Sequence, residues 1–198
     1  MRRMMTVVCA LALTVSLSGF ARGEVKVGQA APAFSLQDQA GKVISLADYK
    51  GKIVVLEWFN NECPFVVKHY KLGSMNALAS KYTEKGVVWL AINSTKGKTN
   101  ADNAAIAESW SIKRPILNDA EGTTGRAYGA TRTPHMFVIN AEGNVVYMGA
   151  IDSDTTSDPS KVEGATNYVA AALDELLEGK AVSKPETKPY GCTVKYAK

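Results

Sequence analysis

Residues 52–93 read KIVVLEWFNNECPFVVKHYKLGSMNALASKYTEKGVVWLAIN. The stretch opens on a nearly unbroken apolar run, KIVVLEWF, the mark of a strand covered on both faces. From Pro64 to Lys85 the period changes. Leu72, Met75, Ala79 and Tyr82 fall three and four residues apart and Gly86 supplies a stop, so the spacing predicts one helix. VVWLAIN is a second buried strand, and strand, helix and strand in this order make a parallel crossover unit.

Outward from this unit, Gly28 to Asp48 shows short alternating apolar positions around Gly41, as in a small β-hairpin. Downstream, Asn100 to Trp110 reads as a helix opened by Thr99 and Asp102 at capping-box spacing. RPILND is a short strand and TTGRAYGA a helical turn or two. MFVIN and VVYMGAI, separated by Ala141–Asn144, make a second hairpin. Val169, Leu173, Leu176 and Leu177 mark a last amphipathic helix that ends at Gly179. The remaining KAVSKPETKPYGCTVKYAK reads as extended. The pattern predicts an α/β fold: a central mixed sheet flanked by helices, with an N-terminal hairpin and an extended C-terminal tail. There is no internal repeat and no low-complexity linker.

The chain has 198 residues, 46% hydrophobic and 21% charged, the size and composition of one globular domain. Its start is different in kind. Arg2 and Arg3 precede an uncharged apolar stretch from Met4 to Ala21, the layout of a secretory signal peptide, with cleavage after Ala21 or Gly23. The alternative is an uncleaved membrane anchor, since about 18 uncharged residues approach the length of a span. The organisation expected is residues 1–23 as signal peptide, 24–180 as the domain and 181–198 as a tail carrying Cys192. The mature chain would then sit outside the cytoplasm, periplasmic or extracellular, touching a membrane only if the segment stays uncleaved. Loss of Arg2 and Arg3 lowers the formal charge from +4 to +2, so no nucleic-acid partner is expected. Cys9 leaves with the signal, and Cys63 and Cys192 remain as a pair able to join or exchange in an oxidising compartment.

Cys63 sits where the first strand gives way to the helix. Proline is favoured at the first helical position, so Pro64 makes Cys63 the cap residue. Its sulfur would face the free N–H groups of Phe65 and Val66 and the positive end of the helix dipole, which favour thiolate. An ordinary thiol of pKa about 8.5 is only a few per cent ionised at neutral pH, and lowering it by about 1.5 makes half of it a nucleophile. The bland alternative is a small buried hydrophobe that ends a strand. A sulfur buried away from solvent would leave only the fold assignment standing.

VVLEWFNNECPF followed by GATRTPHMFVINAEGNVVYMGAID resembles the thioredoxin fold in its redoxin branch, which includes peroxiredoxins of the alkyl hydroperoxide reductase and thiol-specific antioxidant family and exported thiol reductases. The ending YGCTVKY is similar to the GCxxK-type ending of some peroxiredoxin-like proteins. The resemblance implies an oxidoreductase with Cys63 as attacking cysteine, and it implies that Thr133–Pro134 is the loop holding a cis-proline against that sulfur, where an extended thiol substrate docks. Pro64, Thr133, Pro134, His135, Arg132 and Trp58 are the candidates to line the substrate site. Glu57 stands where thioredoxins carry a buried acid, and desolvation would suit it to accept a proton from a resolving thiol. An ion-paired glutamate is the alternative. Two departures limit the transfer. Val66 stands where thioredoxins have their second cysteine. Asn60 and Leu56 replace the hydroxyl residue and the proline of the peroxiredoxin motif, so Asn60 can donate a hydrogen bond but not relay a proton. The peroxiredoxin arginine has its only candidate in Arg132.

A nucleophilic cysteine must complete its cycle after attack leaves it mixed or as sulfenic acid. Cys192 is the candidate, as resolving thiol or in a standing disulfide; closing a loop of about 130 residues could contribute roughly 5 kcal/mol, so a purely structural bridge is a serious alternative. Three functions follow. The first is an exported thiol–disulfide oxidoreductase acting on protein or small-molecule thiols and disulfides with an external thiol as reductant. The second is a peroxidase using the same Cys63. The third is a non-enzymatic domain, disulfide-stapled or binding copper through His135 and Met136. No cofactor and no resident metal is expected for the enzyme.

Overall fold

The computed structural model describes residues 24–198, so the expected signal segment lies outside the described residues. Strands β1 (Ser35–Gln37) and β2 (Val43–Ser45) form the N-terminal hairpin, in register Ser35 with Ser45. Gly41 takes φ +80° in its turn, a conformation costly for any side chain. At the centre of the sheet lies β3 (Val54–Trp58), all five residues buried, as its apolar run requires. It pairs in parallel with β4 (Val88–Asn93) and antiparallel with β7 (His135–Ile139). Strand β5 (Ile116–Asn118) adds in parallel to β4, and β8 (Val145–Gly149) closes a hairpin on β7. The seven-stranded order is β2-β1-β5-β4-β3-β7-β8, a mixed sheet.

The helix expected over Pro64–Lys85 is two helices, α1 (Pro64–Lys71) and α2 (Ser74–Thr83). Gly73 breaks it by adopting φ +69°, and the apolar period carries on across the break, which is why periodicity alone misses it. Helix α3 (Asn100–Ser109) begins with Thr99 and Asp102 bonded reciprocally at 2.8 and 3.1 Å, the capping box its spacing predicts. Helices α4 (Thr123–Ala127) and α5 (Tyr168–Leu177) complete the layers. Because side chains alternate across a strand, neighbouring residues serve opposite cores. Val55, Met136 and Val138 face α1, α2 and α5 together with Cys63, Tyr70 and Trp89. Val54, Leu56, Trp58 and Phe137 face the other layer with Tyr128 and Phe34.

The tail is extended, as expected, but it is tied down along its length. The Thr187 amide and the Pro185 carbonyl bond to both sides of Met148 at 3.1 and 3.0 Å, and the Thr187 hydroxyl receives the Ala150 N–H at 2.9 Å. The Tyr190 hydroxyl donates to buried Asp152 at 2.6 Å. Strand β9 (Cys192–Thr193) then pairs antiparallel with β6 (Arg132–Thr133), placing Cys192 opposite Thr133. Gly191 has φ +103°, and a Cβ there would collide with the Thr133 carbonyl, so glycine is required for this approach. Beyond the strand, the Tyr196 hydroxyl donates to the Ala130 carbonyl at 2.7 Å, and its ring lies where a side chain on Gly122 or Gly125 would be.

Candidate active site

Cys63 caps α1 in extended conformation with Pro64 at the first helical position. Asn60 builds the turn before it: its side-chain oxygen accepts the Glu62 N–H at 2.8 Å and its carbonyl accepts the Cys63 N–H at 3.1 Å. These bonds commit the Asn60 oxygens to the turn and leave its side-chain amide N–H, the donor expected of it, outside them. The sulfur makes no capping bond to the helix amides; Val66 and Val67 both donate to the Cys63 carbonyl instead, at 2.9 Å. The Cys63 S–H donates to the Thr133 carbonyl at 3.0 Å, immediately before the cis Thr133–Pro134 bond.

Cys63 is 0% exposed, so the burial that would leave only a fold assignment is met by the sulfur itself, and the enzyme class rests on the family and relatives given below. What covers the sulfur is the tail: Cys192, partly exposed, lies in hydrogen-bond contact with it, and both are free thiols. Burial pushes the Cys63 thiol up. The Cys192 thiol, the Thr133 side chain, the Cys192 amide and finally the Val66 amide favour the anion, and together they hold Cys63 below its ordinary value. Burial, and then the hydrogen bond and negative charge of Cys63, push Cys192 up to about 11, with Lys195 and Arg132 opposing. The two sulfurs are therefore unequal: Cys63 gives up its proton more readily than Cys192. Arg132 is exposed and donates to the Thr193 hydroxyl at 2.8 Å, clasping β6 to β9.

Glu57 lies on the same sheet face as Val55, and its oxygens are taken. One accepts the Tyr70 hydroxyl at 2.6 Å; the other accepts the Trp89 indole N–H at 3.0 Å and the Arg114 guanidinium at 2.9 Å. Arg114 also donates to Tyr70 at 2.6 Å and to Asn76 at 2.9 Å. The proton-accepting role expected of Glu57 gives way to an ion pair, because its desolvation is answered by a buried cation and two neutral donors. Burial, reinforced by the Glu57 charge, raises the Tyr70 hydroxyl well above the usual phenol range.

Two substrate-lining candidates point elsewhere. Trp58 is fully buried against Tyr128 and Phe137 in the opposite core, its indole N–H donating to Ser94 at 3.0 Å. His135 pairs with Trp58 across the strands, stacks on Phe137, and is held neutral by burial, which lowers it to about 3. Both belong to the wrong phase of the strand alternation. The same alternation separates His135 from Met136, which lies in the core with Cys63, so the copper-binding pair is split between two faces. Among the described residues, no group of three His, Cys, Asp or Glu side chains could hold a metal.

Arg114, Tyr70, Gly191 and Tyr190 were not legible as site residues. Arg114 had a signal: a glutamate inside an apolar strand demands a cation, and Arg114 leads into β5, two places away in the sheet. Tyr190 precedes Cys192 by two residues in YGCTVKY and anchors that side of it on Asp152.

A cysteine capping the first helix of a mixed sheet, a cis-proline loop against its sulfur and a second thiol on a docked tail define a redoxin of the thioredoxin type. Residues 27–148 match the AhpC/TSA family, and the chain belongs to it. It is 30% identical over 151 residues to the thiol-disulfide oxidoreductase ResA of Bacillus subtilis, covering 72% of this chain and 78% of that one. Among solved structures, a hypothetical protein from Sinorhizobium meliloti superposes with a TM-score of 0.78 at 28% identity, over 88% of this chain and 97% of the other. An uncharacterized conserved protein from Geobacillus kaustophilus does so with 0.77 at 31% identity, over 87% and 93%. The chain is a thiol-dependent oxidoreductase.

Proposed function

We propose an exported thiol–disulfide oxidoreductase in which Cys63 attacks and Cys192 resolves. The observation that carries this is the pairing of Cys192 with Thr133, which lays a high-pKa thiol against a lowered one. In the first step the Cys63 thiolate attacks one sulfur of a substrate disulfide; a Cys63–sulfur bond forms, the substrate bond breaks, and the departing thiolate takes a proton from water. Cys63 no longer carries charge, so the repulsion holding up the Cys192 thiol is gone. Cys192 then loses its proton and attacks the Cys63 sulfur, releasing the second substrate thiol and leaving a Cys63–Cys192 disulfide. Two equivalents of an external thiol restore both cysteines and leave as their own disulfide. The apolar stretch at Met4–Ala21 supports export. No helix among the described residues is long and apolar enough to cross a membrane.

Mass mapping after one equivalent of a small disulfide tests the scheme. The expected products are a Cys63–Cys192 linkage in the native chain and a stable Cys63 mixed disulfide in Cys192→Ser. Two free thiols after treatment, or unchanged turnover in Cys63→Ser, would overturn it.

A further inference from the structure

Strand β9 fills the place of an extended guest. It runs antiparallel to β6 at the residue preceding the cis-proline, sets its own cysteine against Cys63, and leaves the attacking sulfur with no exposed surface. A polypeptide disulfide that docked by strand addition beside Thr133 would need the same backbone edge and the same space. Resting on the proposed two-cysteine cycle, we infer that the tail is an internal occupant of the peptide-docking edge, and that it restricts the enzyme to small-molecule disulfides while excluding protein ones.

The tail is held on both sides of the strand. On the N-terminal side, Tyr190 donates to Asp152 at 2.6 Å, its ring lies 6.1 Å from that of Phe65, and the Lys68 ammonium sits 5.0 Å from its centroid. Asp152 and Lys68 are themselves buried, and Lys68 is tied by three hydrogen bonds to Asp154 and Thr156. On the C-terminal side, the ring of Tyr196 lies over Gly122 and Gly125, its hydroxyl bonds Ala130, and the Arg126 guanidinium stands 4.7 Å from its centroid. Between them β9 contributes only two paired residues. Two aromatic anchors therefore bracket a weak strand. A small disulfide needs only a local parting at Cys192 to reach Cys63. A protein disulfide needs the whole of β9 lifted from β6.

The C-terminal anchor is the one that can be loosened without losing Cys192, because Tyr190 still tethers the chain two residues before it. Tyr196 is thus a specificity-determining residue, remote from the reacting sulfurs. Raising the population of the lifted state raises apparent affinity for a guest in proportion.

The test compares native protein with Tyr196→Ala on two substrates, oxidised glutathione and insulin, with excess dithiothreitol as reductant and the uncatalysed rate subtracted. Native protein is expected to turn over oxidised glutathione and to leave insulin at background. Tyr196→Ala is expected to gain insulin reduction by about tenfold or more while glutathione turnover stays within about threefold. A urea midpoint shared with native protein separates this gain from exchange by the exposed thiols of unfolded chain. Tyr196→Phe keeps the ring and is expected to gain less. Equal turnover of insulin and glutathione by native protein, or no gain in Tyr196→Ala with glutathione turnover intact, would overturn the gating. Failure of native protein to turn over either substrate would instead overturn the two-cysteine cycle on which it rests.

Discussion

Replacing Gly191 by alanine strikes the contact that brings the two sulfurs together. At φ +103° a side chain is strained, and the new Cβ would meet the Thr133 carbonyl, a backbone atom and not the far end of a flexible side chain. Backbone strain of this kind costs about 1–3 kcal/mol, and the collision adds to it. The chain relieves it most cheaply by parting β9 from β6, since only two residues are paired there, so the cost is read as local opening and not as global unfolding. An opening equilibrium shifted by that much rises about fivefold to about 160-fold. Because Cys63 is 0% exposed and covered by the tail, its alkylation by iodoacetamide in the reduced protein should accelerate by a similar factor at neutral pH. The urea midpoint should change little. Native alkylation kinetics in Gly191→Ala, with undiminished Cys63–Cys192 disulfide on oxidation, would refute the account of how the sulfur is held.

Arg114→Met strands the Glu57 charge among Tyr70 and Trp89, and breaking such a buried pair should cost about 3–5 kcal/mol in urea unfolding; a loss under 1 kcal/mol would show the carboxylate has another partner. Tyr190→Phe removes one of the two donors to buried Asp152, leaving the Asp154 N–H at 3.1 Å, and should cost about 1 kcal/mol, with faster exchange of the amides on β9. Burial lowers His69 to about 4 and His135 to about 3 from an ordinary 6.5. The unfolded chain therefore takes up protons first, so stability is full above about pH 6.5 and falls as the pH drops toward 4, by up to about 1.4 kcal/mol per unit for each histidine. The raised carboxyl of Asp152, which burial pushes up, works against this slope. A urea midpoint that stays flat between pH 6 and 5 would contradict the burial of both rings.

What could be read in advance was set by local periodicity. The crossover of β3, α1 and β4, the two hairpins and the Thr99 cap follow from residue spacing, and the structure places each where the pattern does. Gly73 shows the limit: an apolar stripe continues across a helix break, so only the glycine marks it. Trp58 and His135 were adjacent in sequence to the right residues but alternate to the opposite face, a matter of strand phase that neighbouring motifs do not reveal. Glu57 was visible and its partner was not, because Arg114 arrives from the segment that leads into β5. The reason for GTTGRAYG was hidden entirely, since Gly122 and Gly125 leave room for Tyr196, some seventy residues away along the chain.

That separation bears on how the molecule comes into being. The reactive sulfur leaves the ribosome about 130 residues before the strand that shields it, which at ordinary synthesis speeds is on the order of ten seconds. Throughout that interval a nascent chain presents a thiol with neither its lid nor its partner, free to pair wrongly with whatever sulfur it meets. The molecule is therefore not complete until β9 has paired with β6, and any delay in that pairing prolongs the period in which it is a hazard to itself.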